Sequence, residues 1–119
     1  METLNITLAR KWLDALRSSE YEQTTGLLRD DKGFCCLGVL CDISGLGEWE
    51  RDEDGDYAFH VPGHVERVFP PDAVDEALGV IARYIGLNGD FSVQMLSSLN
   101  DNGKTFPEIA DEIQRRLKL

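Results

Sequence analysis

No stretch of this sequence approaches the roughly 20 consecutive apolar residues that a membrane-spanning helix needs. Its start, METLNITLARKW, lacks a basic opening followed by a continuous apolar core, so it does not read as a secretory signal. Positive charge is scarce: 12 Lys+Arg stand against 22 Asp+Glu, a formal net charge of −10. That balance repels phosphate backbones and anionic lipid, which excludes direct nucleic-acid binding and argues against a membrane partner. Cysteines number three, at Cys35, Cys36 and Cys41. A secreted disulfide framework uses an even count spread along the chain, so the expectation is a reduced protein of the cytosol. Internal repeats and low-complexity tracts are absent as well.

What remains is ordinary globular material. Apolar residues make up 42% and charged residues 29% of 119 positions. That length suits one domain, 1–119, large enough to fold without a disulfide or metal staple. Leu4, Leu8, Trp12, Ala15 and Leu16, widened by Ala9 and Leu13, predict an amphipathic first helix capped by Asn5 or Thr7. Asp31-Lys32-Gly33 separates two apolar runs and predicts a hairpin, 26–29 out and 34–36 back. Residues 36–43 then fit a short buried helix closed by Gly45, with a buried strand through 34–42 as the competing reading. Gly38 weakens that helix unless another backbone must come close. A second hairpin turns at Asp54-Gly55, with Trp49 and Arg51 before it and Tyr57 and Phe59 after it; Pro62-Gly63 ends it. Pro70-Pro71-Asp72 opens a helix faced by Val74, Ala77, Leu78, Ile81 and Ile85. Ser92 caps another, with Val93, Leu96 and Leu99 inward. Thr105-Phe106-Pro107-Glu108 is a capping box for the last helix. The expected fold is α+β: one small domain, mainly helical, with four or five helices and one or two short β-hairpins.

Several groupings invite chemistry. The cysteines lack the two spaced pairs of a structural zinc site, and their apolar neighbours favour core packing. His60 and His64 have a ligand-like spacing, but Pro62 and Gly63 between them preclude a regular helix and point to loop histidines. Glu48, Glu50, Asp52, Glu53, Asp54 and Asp56 put six carboxylates into nine residues. Aligned as a calcium loop, the segment puts Val61 where a glutamate is required; a solvated hairpin tip or a patch for a basic partner are the other readings. Asn100 to Lys104 either joins two helices or offers an anion site at the start of the last one. Arg17, Tyr21, Gln23 and Arg29 either tie the first helix to the hairpin or grip an anionic, base-bearing ligand. No Ser–His–Asp order, nucleophile elbow or paired-carboxylate motif stands out. The reading is therefore a binding protein rather than an enzyme, with no catalytic residue, metal or cofactor assigned.

Three stretches, KWLDALRSSEYEQ at 11–23, GFCCLGVLCDISG at 33–45 and LNDNGKTFPEIADEI at 99–113, together resemble a family of small proteins encoded by phages and prophages. The chain departs from the family's Ser-Gly at Ser19-Glu20, and the acidic segment 48–56 looks like a variable insert. The resemblance implies an accessory, counter-defence product acting in the bacterial cytosol. Two readings follow. The first is sequestration of a small anionic nucleotide-like host immune signal by Arg17, Tyr21, Gln23, Arg29, Asn100 and Lys104, at a site that can lie across a homo-oligomer interface. The alternative is inhibition of a host nucleic-acid-binding defence complex of the kind anti-CRISPR proteins block. There Glu48, Glu50, Asp52, Glu53, Asp54 and Asp56 meet a basic protein surface. Segment 48–56 carries −5 of the net −10, so a local basic pocket elsewhere is compatible with the total.

Overall fold

The computed structural model describes residues 5–62, 64–66, 74, 93–117 and 119. Among them are four helices, α1 (Ile6–Arg17), α2 (Cys36–Ser44), α3 (Val93–Asp101) and α4 (Phe106–Leu117). Three strands, β1 (Glu48–Arg51), β2 (Tyr57–Val61) and β3 (His64–Glu66), form an antiparallel sheet in that order. The architecture is α+β, as expected. The helix expected after Pro70 lies outside the described residues except for Val74, which is helical and buried. Ser92 lies outside them too.

Helix α1 buries Leu8, Ala9, Trp12, Leu13 and Leu16 of the expected stripe, with Ala15 half-buried and Leu4 outside the described residues. Asn5 is its cap, accepting the Leu8 N–H at 3.0 Å. The helix packs between α2 and α4. Trp12 is fully buried, and its indole N–H donates to the Cys36 carbonyl at 2.9 Å. That bond fixes the register of α1 against the first turn of α2 and leaves no orphan donor in the core.

Helix α2 is buried continuously from Cys36 to Cys41, so it has no solvent face over those residues. Gly45, in the left-handed region at φ 71, closes it. All three cysteines are buried free thiols. Cys35 is the N-cap, its sulfur accepting the Gly38 N–H at 3.3 Å, and the Cys36 thiol donates to the Leu96 carbonyl at 3.6 Å. Burial pushes the Cys35 thiol up to about 11 and the Cys36 thiol well above its ordinary value, so both stay protonated at neutral pH, as packing groups do.

The first expected hairpin is reduced to a single antiparallel bridge between Arg29 and Phe34, closed by the Asp30 N–H on Gly33 and the Cys35 N–H on Leu28. Residues 22–35 are an irregular loop with two isolated bridges, both ending at Phe34: one parallel from Gln23, one antiparallel from Arg29. Two features draw the chain away from a ladder. Asp30 folds the tip by accepting the Lys32 and Gly33 N–H groups. Cys35, meanwhile, is the N-cap of α2, so the pairing ends directly after Phe34.

The second hairpin forms as read, turning at Asp54-Gly55 with Gly55 at φ 83. It does not end at Pro62-Gly63: the chain returns as β3, pairing Val61 with His64 and His60 with Val65. Both histidines are therefore strand residues, not loop residues. The hairpin is anchored rather than appended, since Ala58, Phe59 and Val61 are buried and Trp49 packs on the core.

Helix α4 opens on the expected capping box. The Thr105 N–H donates to Glu108 at 3.0 Å, and the Glu108 N–H donates to the Thr105 hydroxyl at 3.4 Å. Phe106, Ile109, Ala110 and Ile113 face the core.

Candidate functional site

The six residues assigned to a small ligand fall into three separate places. Arg17, at the end of α1, reaches across to α4, where its guanidinium bonds Asp111 at 2.7 Å and Gln114 at 2.8 Å. It bridges two helices by their outer faces.

The second place is a buried amide. Asn100 closes α3 at 1% exposure. Its Oδ1 accepts the Gln23 side-chain amide at 3.0 Å and the Cys36 N–H at 3.2 Å, and its Nδ2 donates to the Thr24 carbonyl at 2.7 Å. Gln23 also donates to the Lys104 carbonyl at 2.6 Å, and the Gly26 N–H donates to Asp101 at 3.1 Å. One side chain thus ties the end of α3, the start of α2 and the 22–35 loop together. Gln23, Asn100 and the Lys104 backbone meet, but their polar atoms are engaged with one another. Nor is the start of α4 open to an anion. Glu108 already receives the Thr105 N–H, and hydrogen bonds from Thr105, with the Lys104 charge nearby, hold its carboxyl below the usual range.

The third place lies between the loop and the sheet. Tyr21 packs edge-on to Phe34, Phe34 to Trp49 and Trp49 to Phe59, with ring centroids 5.0, 5.7 and 5.0 Å apart. Asp42, near the end of α2, clamps this row by accepting the Tyr21 hydroxyl at 2.6 Å and the Trp49 indole N–H at 3.0 Å. Burial and the Asp42 carboxylate push the Tyr21 phenol upward, so it stays a neutral donor. The Arg29 guanidinium lies 4.8 Å from the Phe34 centroid, 5.5 Å from Trp49 and 4.3 Å from Tyr57. No carboxylate among the described residues pairs with it. Arg51 approaches the same Tyr57 ring at 4.6 Å and pairs with Asp31. Asp30 is drawn into the loop: burial pushes its carboxyl up, but bonds from Thr24, Lys32 and Gly33 outweigh that and hold it low.

Strand register sorts the hairpin's chemistry by face. The directly opposed pairs Trp49–Phe59 and Arg51–Tyr57 share the face turned to Arg29 and Phe34. Glu48–His60 and Glu50–Ala58 share the other. Glu48 and Glu50 are exposed there, with the His60 ring 3.7 Å from Glu50. The acidic character continues into the turn, where Asp52, Glu53 and Asp54 are exposed and Asp56 half-buried. Asp52 orders that turn by accepting the Asp54 and Asp56 N–H groups at 2.9 and 3.0 Å. Carboxylate oxygens of Asp52, Asp54 and Asp56 lie within 4.8 Å of one another, the one grouping among the described residues with a cation-binding donor set. Strands flank the turn and Val61 lies in β2, so it is not a calcium loop of the helix-loop-helix kind.

Sequence reasoning missed Asp42, Tyr57 and Arg51 as neighbours of the candidate set. Alternation placed Trp49, Arg51, Tyr57 and Phe59 on one face, but nothing in one sequence says that Arg29 lies under it. Among the described residues no helix is long and apolar enough to cross a membrane. A family model described as a domain of unknown function, DUF8296, matches residues 4–117, and the chain belongs to that family. No curated protein and no solved structure matches it.

Proposed function

We propose that this is a non-enzymatic accessory protein of phage type, acting in the bacterial cytosol. In this reading it blocks a host nucleic-acid-binding defence complex by setting the acidic face of its hairpin against that complex's basic surface. The observation that carries the reading is the division of the hairpin. Its aromatic face is packed on the body, while Glu48, Glu50, Asp52, Glu53 and Asp54 are exposed on the outer face and the turn. Charges fixed on an anchored strand meet a basic channel with little ordering entropy to lose, and they steer encounter as well as bind. The test is phage plating on bacteria carrying RNA-guided nuclease systems. Expressing the wild type should rescue plating. Glu48→Gln, Glu50→Gln, Glu53→Gln and Asp54→Asn combined should reduce rescue about a hundredfold, given coupling of a kcal/mol or more per close charge pair. Unchanged melting of the variant shows that the fold is intact, since all four side chains are exposed. No rescue by the wild type, or equal rescue by the variant, rejects the reading.

Arg29 favours a second reading, sequestration of a small anionic nucleotide-like signal. Its half-buried guanidinium lies against three rings and has no carboxylate partner among the described residues, which favours an anion in that role. A panel of cyclic nucleotides and ADP-ribose derivatives should then contain one that raises Tm by roughly 10 °C at a hundredfold excess over Kd. That rise should be lost in Arg29→Lys, which keeps the charge but not the fork. A flat panel sinks this reading and leaves the first untouched.

A further inference from the structure

We infer that Arg29 and Arg51 together form a site for a terminal phosphate group, and that Asp31 occupies Arg51 until such a ligand arrives. The inference deepens the sequestering reading by naming the ligand group that the site takes. Two guanidinium groups from different parts of the chain, the 22–35 loop and β1, converge on one ring, at 4.3 and 4.6 Å from the Tyr57 centroid. Each guanidinium carbon lies against that ring, so the two are no more than about 9 Å apart, close to the span of one phosphate held by two forks. The two arginines have one carboxylate partner between them among the described residues, Asp31 on Arg51, which leaves donors for an added anion. They lie on the hairpin face opposite Glu48 and Glu50, which keeps those two carboxylates out of the site.

Asp31 is the carboxylate that reaches either guanidinium among the described residues, and it reaches Arg51 alone. The pair is open to solvent, with side-chain exposures of 49% for Arg51 and 73% for Asp31. Exposed pairs of this kind contribute little, so an incoming anion displaces the Asp31 carboxylate at small cost. A phosphate monoester suits the vacated position better than a carboxylate or a phosphodiester. It carries close to two negative charges near neutral pH and three oxygens, enough to accept from both forks. A cyclic nucleotide offers one charge and two free oxygens.

Calorimetric titration of the whole chain with adenosine, adenosine 5′-monophosphate, 3′,5′-cyclic adenosine monophosphate and orthophosphate tests this. The 5′-monophosphate should bind, adenosine should not, and the cyclic form should bind about tenfold more weakly or worse. Arg51→Gln should weaken the 5′-monophosphate about tenfold, and Asp31→Asn should tighten it about threefold by removing the internal competitor. Both variants should melt like the wild type. Orthophosphate binding as tightly as the nucleotide would support the site and assign it to phosphate alone. Equal binding of the cyclic and 5′ forms, indifferent to Arg51→Gln, would overturn this inference while leaving sequestration standing. No binding by any phosphate compound would overturn the site itself, and a flat panel of signals in the preceding experiment would remove sequestration with it.

Discussion

Gly38→Ala should destabilise the protein by about 3 kcal/mol, although alanine is the better helix former by about 1 kcal/mol. A Cβ at position 38 would stand 1.8 Å from the Leu28 carbonyl oxygen and 2.7 Å from its carbon. Both are backbone atoms, so no side-chain rotation relieves the clash. Relief requires lifting the 22–35 loop off α2, and the same Leu28 oxygen accepts the Cys35 N–H at the helix entrance. Loop and helix start would therefore be disturbed together, and Arg29 next to Leu28 would lose its seat among the rings. Thermal melting should show a fall of roughly 10 °C. Gly26→Ala is the control. Gly26 sits at φ 87, and a Cβ built on it has nothing within 4 Å, so the added methyl meets only backbone strain of about 1–2 kcal/mol. If the two variants melted alike, the contact between Leu28 and α2 would not be the tight one described.

The local elements were legible because their signals are local. Asn5, the α1 stripe, Gly45, Asp54-Gly55 and the Thr105–Glu108 box each act within a few residues, and each does so in the structure. Gly38 was legible as a question: a glycine inside a helix asks what approaches it, and Leu28 is the answer. The first hairpin misled because a turn signal between apolar runs says nothing about a third partner. Here the second run is claimed by α2 after one bridge, and the Thr24 carbonyl and Gly26 N–H bond Asn100 and Asp101, more than 70 residues further on. The six candidate ligand residues lie in three separate places for the same reason. Arg17, Gln23 and Asn100 look like unassigned polar groups along the chain, yet their partners are Asp111, Lys104 and Cys36 in distant elements. The hairpin's two faces could be read from its alternation, but not what lay beneath them. Phe34 and Arg29 reach it from another segment, and that contact gives the rings and the second arginine a common place.

Asn100→Leu should be the most damaging polar substitution, with a loss of about 4 kcal/mol from a total stability typically between 5 and 15 kcal/mol. Leucine keeps asparagine's branched four-atom skeleton, so no cavity opens; its bulkier methyl groups add some overpacking to the lost hydrogen bonds. Three groups lose a partner at once. The Cys36 N–H and the Thr24 carbonyl are left without Asn100, and the Gln23 amide keeps only the Lys104 carbonyl. A buried backbone group without a partner costs about 1–3 kcal/mol, and the half-buried Gln23 amide loses less because water reaches it. Gln23→Ala should therefore cost only about 1 kcal/mol. Because Gln23 and Asn100 share a bond, the double variant should fall short of the sum by about half a kcal/mol or more. Hydrogen exchange at the Cys36 amide gives a local readout: it should accelerate far more in Asn100→Leu than in Gln23→Ala. The same pair of variants decides what these residues are for. If Asn100 were a ligand group, its loss would abolish ligand-induced stabilisation while leaving the free protein's Tm within a few degrees. A large fall in Tm with faster exchange at Cys36 instead assigns Gln23 and Asn100 to the joint between the loop and the helices.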